Sequence, residues 1–287
     1  MSPVEAYRVR VFGAQPGTGN PAVVVLESGG WSDEVLQALA AKAAVPDTAF
    51  ISTDPVNPGR LDIRWFTPTT EVGLCGHATL ASARVIQEKT RQDRVEFHSA
   101  KTRLVVTREG DLSWLELPVP AIGSFDGSRN DIAEALQIWG SETELKLPLA
   151  LTPERDVIIP LSEAADLYAI EPDFDRLAEV GRAVQARGFC LLSRQKREPA
   201  SAFSLRFFAP HIGIPEDPAT GSVVGPLALY ALTHGWATWE PIVRLRFEQG
   251  DAVNLPCRLQ VEMTSEGNRP VRLRVGGLTS TPESVTL

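Results

Sequence analysis

Cysteine is scarce: Cys75, Cys190 and Cys257 are the only three, odd in number and scattered. That excludes a disulfide framework and any CxxC-type metal motif. No run of about 18 apolar residues occurs, which excludes a membrane-spanning helix as an expectation. The start, MSPVEAYRVRVFG, has no basic stretch followed by an apolar core, so it does not read as a signal peptide. A reduced, cytoplasmic protein is expected. Basic residues are also short in supply, 28 against 36 acidic ones, for a net charge of -8. Nucleic acid is therefore a poor partner, since phosphate binding needs a basic face. A local anion site remains open, because a few backbone amides can hold an anion on an acidic protein.

What is present is ordinary globular composition with 22 glycines and 22 prolines, hence many turns and short elements. Alternation predicts strands at Tyr7–Phe12 and Ala22–Leu26, joined by the turn GTGNP. Further strands are predicted at 48–52, 61–66, 95–98, 104–108 and 113–117. Helical spacing covers Trp31–Ala43 and Cys75–Glu88. The polar stretch Gly123–Asn130 is the best linker candidate. Beyond it, helices are predicted over Asp131–Trp139, Phe174–Ala186 and Ser222–His234. Strands alternate with them at 157–160, 189–193, 201–208, 242–247, 258–263 and 271–275. A β-prone tail closes the chain at Glu283–Leu287.

Arg64-Trp65-Phe66-Thr67-Pro68 matches Arg206-Phe207-Phe208-Ala209-Pro210 at an offset of 142, about half the chain. Each copy is a strand ending before a loop and a helix start, which points to a duplication. Arg64 to Cys75 and Arg206 to Asp217 are both 11 residues, so Asp217 is read as the counterpart of Cys75. Each helix start leaves unbonded N–H groups and a partial positive charge. Small residues there (Gly76, Ala78, Gly221, Ser222) allow a ligand to approach the backbone.

Four segments carry a specific resemblance: VRVFGAQPGTGNPAVVVL, PDTAFI, IRWFTPTTEVGLCGHATLASARVI and LRFFAPHIGIPEDPATGSVVGPLALYAL. They resemble the PhzF phenazine-biosynthesis-like proteins, relatives of diaminopimelate epimerase, and the likeness runs from about Val9 to Thr286. The resemblance implies an α+β fold of two similar domains, each a curled mixed sheet around a central helix. The implied domains are 1–121 with the strand 277–287 returning to it, and 122–276, with the active site in the cleft between them. It implies a cofactor-independent isomerase, with no metal, that moves a proton within a small unsaturated or cyclic amino or hydroxy acid. A small carboxylic acid substrate and a homodimer follow from the same likeness, and the lack of a long apolar run predicts no membrane partner.

Such a reaction needs one group to take a carbon-bound proton and return it elsewhere, and donors to spread the resulting charge. By motif match Asp47 is the proton-transfer group, with His77 and Asp217 positioning the substrate and assisting. Gly76, Thr220, Gly221 and Ser222 match the substrate-binding helix starts. Asn20 could reach the substrate, although a turn asparagine is the more ordinary account. Glu71 is expected to be structural. Three departures stand out: Asp47 where relatives usually have glutamate, Val223-Val224 where a polar group often follows Gly-Ser, and Lys101-Thr102 where Ser-Gly is common. A non-catalytic small-acid-binding protein of the same fold is the main alternative. An amino-acid epimerase or racemase is weaker, because it needs a cysteine at each helix start. A cysteine hydrolase is weaker still, since Cys75 and His77 are two residues apart at a helix start and are not expected to meet. Cys75 then reads as a small buried hydrophobe.

Overall fold

The computed structural model describes the chain except residues 1, 2, 16, 55, 58, 139–146 and 164. Two compact units divide it: residues 1–117 with 274–287, and residues 118–273.

In the first unit β1 (Glu5–Val11) and β2 (Asn20–Val25) form an antiparallel hairpin with Val11 opposite Asn20. Gly19 closes the turn at φ +104, and a Cβ there would lie 2.6 Å from the Val11 carbonyl oxygen, so only glycine fits. α1 (Asp33–Ala43) then crosses to β3 (Asp47–Thr53), which runs parallel to β2. Next come β4 (Leu61–Phe66), β5 (Glu71–Val72) and α2 (Gly76–Thr90). α2 is a second crossover, because β6 (Arg94–His98) lies parallel to β4. β7 (Arg103–Glu109) and β8 (Leu112–Leu117) complete an antiparallel meander.

α2 is the centre of this unit. His77 through Val85 are all buried, which one amphipathic face cannot account for. The helix packs on β1, β2, β3 and β8, so the sheet curls around it. Its alanines let the strands approach closely. Its buried hydroxyls are satisfied by the helix itself, Thr79 donating to the Cys75 carbonyl at 2.7 Å and Ser82 to that of Ala78 at 2.8 Å. The other sheet face is covered by α1, whose Leu36, Leu39 and Ala40 pack on Val23, Val25, Phe50 and Phe66. Both faces of β2 are therefore buried, and Ala22 to Val25 read as a continuous apolar run rather than an alternation.

The second unit opens with β9 (Gly123–Ser124), α3 (Arg129–Ala135) and β10 (Ala150–Leu151). The polar stretch expected to be a linker instead supplies β9, which pairs with β10, and Ser128, which caps α3. Residue 139 of the predicted helix Asp131–Trp139 falls outside the described residues, and within them the helix ends at Ala135. β11 (Asp156–Pro160), α4 (Phe174–Ala183) and a parallel β12 (Gly188–Ser193) follow. Then come β13 (Phe203–Ala209), β14 (Ile214–Asp217), α5 (Gly221–Thr233), β15 (Ile242–Gln249) and β16 (Cys257–Glu266). β13 pairs antiparallel with β12 and β14, and parallel with β15, which pairs antiparallel with β16. Val157, Ile159, Phe189 and Leu191 meet Ile132 and Leu177 from α3 and α4. β17 (Arg269–Leu278) leads back into the first unit and pairs with β8. β18 (Glu283–Thr286) pairs antiparallel with β1, as the β-prone tail suggested.

The two units thus repeat one topology: a hairpin, a helix crossover to a parallel strand, a short strand, a second crossover helix, and another hairpin. The repeat has a register that the offset of 142 misses. Phe207 faces Asp217 across β13–β14 as Trp65 faces Val72 across β4–β5. The aromatic strands are 142 apart, but the helix starts Gly76 and Gly221 are 145 apart. A bulge and the 3-10 turn Pro210–Ile212 insert the difference. The counterpart of Cys75 is therefore Thr220, and that of Asp217 is Val72.

Candidate functional site

Three residues converge at the start of α2. Asp47 opens β3, in parallel register with Ala22 of β2. His77 is the second residue of α2, buried, with Nε2 3.7 Å from the Asp47 Oδ2. That is beyond hydrogen-bond reach, so the pair is poised rather than closed. Cys75 is the N-cap of α2, and its Sγ lies 3.3 Å from His77 Nδ1. The expectation that these two do not meet fails for a local reason. Cys75 has extended backbone, φ -139 and ψ 107, so helical spacing does not govern where its side chain goes. The thiol is accordingly a member of a polar cluster rather than an inert filler. The imidazole sits between a thiol and a carboxylate.

The N-terminus of α2 has no side-chain cap. Thr79 is the first residue to return an intrahelical bond, to the Cys75 carbonyl, which leaves the amides of Gly76, His77 and Ala78 outside the ladder. α3 and α4 are capped conventionally by Ser128 and Asp173. α1 and α5, like α2, are not: neither Ser32 nor Thr220 makes a side-chain cap bond to its helix. An uncapped helix start costs stability unless something else meets its amides.

Asn20 lies two residues before Ala22, which is paired with Asp47. Its side chain is 1% exposed, and both amide ends lack a hydrogen-bond partner. A buried, unsatisfied primary amide costs a few kcal/mol, so its persistence asks for a reason. Asn20 is thus not a solvated turn residue. Glu71 is structural as expected, its carboxylate accepting two 2.7 Å bonds from Arg64. Lys101 reaches the loop before α2: its Nζ stands 2.7 Å from where a Cβ on Gly73 would be.

In the second unit the corresponding ground is occupied by bonds of the chain to itself. The Asp217 carboxylate accepts from the Ala219 amide at 3.2 Å and from the Thr220 hydroxyl at 2.7 Å. Gln249 donates to the Asp217 carbonyl at 2.7 Å and to the Thr220 hydroxyl at 3.0 Å, and accepts from the Thr220 amide at 2.9 Å. Gly250 permits this clamp; a Cβ there would lie 2.2 Å from the Leu255 carbonyl oxygen. Asp217 and Thr220 therefore brace the entry to α5. Val223 and Val224 are wholly buried in the core.

Ser222, second in α5, is the counterpart of His77. Its hydroxyl accepts a 2.9 Å bond from Arg187, whose guanidinium is also paired bidentately with Asp156. Burial opposes the charge on Arg187, but the Asp156 carboxylate outweighs it and holds the guanidinium above its ordinary range. Arg187 and Gln249 escaped the sequence reading. Both flank strand ends, and no local pattern marks them. Among the described residues no helix is long and apolar enough to cross a membrane.

The comparisons agree with one another. Residues 9–284 match the family model PhzC-PhzF, described as phenazine biosynthesis-like protein. An uncharacterized isomerase of Deinococcus radiodurans is 34% identical, with 96% of this chain and 92% of that protein aligned. The crystal structure of a Bacillus anthracis phenazine biosynthesis protein of the PhzF family superposes at a TM-score of 0.88 and 20% identity, over 100% of this chain and 99% of that one. A hydroxyproline epimerase from Agrobacterium vitis shares the fold more distantly, at a TM-score of 0.61 and 13% identity, over 100% and 92%. The fold is thus the α+β, epimerase-like one, built from two similar domains, each a curled mixed sheet with a central helix. The chain belongs to the PhzC-PhzF family of phenazine biosynthesis-like proteins, some of whose members are named isomerases.

Proposed function

We propose that this protein is a cofactor-independent isomerase that moves a proton within a small unsaturated or cyclic amino or hydroxy acid, with Asp47 as the group that takes and returns the proton. The observation that carries this reading is Asp47 standing 3.7 Å from His77 at a helix start that nothing caps. A carboxylate next to an imidazole, largely out of water, can remove a carbon-bound proton if the charge left behind is spread by nearby donors. The free amides of Gly76, His77 and Ala78 are such donors. The buried amide of Asn20 supplies both a donor and an acceptor that the folded chain leaves unused. In the second unit the amides of Gly221 and Ser222 open α5, with Arg187 as the cation beside Ser222.

Asp217 is given a positioning role, since both its oxygens already hold the entry to α5. An epimerase with two thiols does not fit, because Thr220 stands where a second cysteine would be needed. Aspartate in place of the glutamate usual in relatives shortens the base by one methylene, so either the substrate differs or the loop compensates.

The test is solvent deuterium exchange into a panel of cyclic and unsaturated amino and hydroxy acids. At least one is expected to exchange a carbon-bound proton, and Asp47→Asn is expected to abolish that exchange while binding survives. Binding without exchange across the panel would favour a small-acid-binding protein instead. Full exchange by Asp47→Asn would remove Asp47 from the role of base.

A further inference from the structure

We infer that Lys101 reads a second negative group on the acid bound at the start of α2, which makes the substrate class a small dicarboxylic acid. The inference deepens the proton-transfer reading and rests on it for the site, but its test is a binding measurement that needs no turnover.

A braced turn brings the ammonium to this place. Residues Ser99–Thr102 join β6 to β7. The Ser99 amide donates to the Thr102 carbonyl at 2.9 Å, and the Ser99 hydroxyl accepts from the amides of Lys101 and Thr102 at 3.3 and 3.1 Å. From that turn the Lys101 side chain lies over Gly73. A Cβ on Gly73 would stand 2.7, 3.4 and 3.7 Å from the Nζ, Cε and Cδ of Lys101. Gly73 has no left-handed φ that would itself call for glycine, so its missing side chain serves the lysine.

The cation has no counter-charge of its own. Arg103, two residues on, is committed to Glu96 at 2.5 and 2.6 Å. Glu71, the acidic residue closest to Gly73 in sequence, gives both oxygens to Arg64 at 2.7 Å. Among the described residues the Lys101 ammonium has neither a hydrogen bond nor an ion pair.

Gly73 is three residues before Gly76, and three residues reach at most about 11 Å. The free amides of Gly76, His77 and Ala78 suit one carboxylate. The same helix start shows an independent sign of a ligand. His77 is 7% exposed, and its Nε2, on the side of the ring towards Asp47, is buried without a hydrogen-bond partner. An acid held by those amides needs no cation for its first carboxylate. A second one would meet the Asp47 carboxylate and a chain of net charge -8, and is repelled unless a positive group stands near its far end. Lys101 is that group.

The test is calorimetric titration of the full-length protein with matched acids: glutaconate against pent-2-enoate, cyclohex-1-ene-1,2-dicarboxylate against cyclohex-1-ene-1-carboxylate, and glutamate against norvaline. The wild type is expected to bind the dicarboxylate more tightly in at least one pair, and less so as salt is raised. Lys101→Gln should weaken that dicarboxylate about threefold to tenfold and leave its monocarboxylate partner unchanged. Gly73→Ala, which displaces the lysine tip, should lose part of the same preference, and should change nothing further in a Lys101→Gln background. Circular dichroism melts establish that each variant is folded. Absence of a preference in every pair, whether or not the acids bind, overturns the inference. So does a preference that survives Lys101→Gln, or an equal loss for both members of a pair, which would put Lys101 on the first carboxylate. Deuterium exchange is read separately. A Lys101-dependent preference without exchange breaks the proton-transfer reading alone, and exchange without that preference breaks this inference alone.

Discussion

The two units share a topology and differ where the topology brings chemistry to one place. In the first, the start of β3 carries Asp47 and the second position of α2 carries His77. In the second, those positions are Gly188, which opens β12, and Ser222, with Arg187 just before the strand. The carboxylate of one copy thus gives way to a glycine with a cation beside it, and the imidazole to a hydroxyl. The approaches to the two helices differ as well. Asp217, Thr220 and Gln249 lock the entry to α5 by hydrogen bonds, whereas Asn20 and His77 near α2 keep buried polar atoms unpaired. Duplication supplied two helix starts, and divergence left reactive groups at one while bracing the other.

The largest expected effect tests that contrast directly. Asp47→Asn should lower proton exchange by a factor of about 10² to 10⁴, the usual range for a general base. It should leave the unfolding midpoint nearly unchanged. Asp217→Asn should do the reverse, destabilising the protein with a modest loss of rate. Equal losses of rate in the two variants would break the comparison.

The two arginine–glutamate pairs come next. Arg206 is 7% exposed, pairs with Glu216 at 2.8 and 2.9 Å, and donates to the carbonyls of Leu167 and Ile170. Removing it as Arg206→Ala strands a buried carboxylate and should cost about 3–5 kcal/mol in urea unfolding. Arg64 makes the equivalent pair with Glu71, plus one to Asp33 at 2.9 Å, but in the open. Arg64→Ala should cost only about 0–1 kcal/mol. Similar costs would mean that the two copies are held in the same way.

Gln249→Ala should destabilise by about 1–3 kcal/mol, because the Thr220 amide and Asp217 carbonyl lose their partner. Limited proteolysis around 217–222 should report the loosened helix entry. The smallest effect on stability is expected at Asn20. Its amide makes no bond, so Asn20→Leu should be neutral or slightly stabilising in a thermal melt while weakening binding of any exchanging acid. A clear loss of stability would show that the amide serves the fold instead.

Much of the fold was legible in residue pattern. Leu61–Phe66 was read to the residue, and α2 and α5 to within one or two, because alternation and helical spacing are local properties. Short strands such as Glu71–Val72 carry too few residues to show a period. The spacing argument that paired Cys75 with Asp217 failed because a 3-10 turn adds residues without disturbing the aromatic motif. The contact between Cys75 and His77 was missed because an N-cap residue has strand-like, not helical, geometry. Arg187 and Gln249 were invisible because their partners lie about 30 residues away in sequence.

By itself the sequence determined the duplication, the order of helices and strands, the family and the helix starts on which the candidate site is built. These follow from short-range periodicity and from motifs a few residues long. Tertiary structure decided which helix start keeps reactive groups and which is bound by its own chain. That depends on parallel strand register, which sets Asp47 beside α2 and Arg187 beside α5, and register is a long-range property that no local pattern encodes.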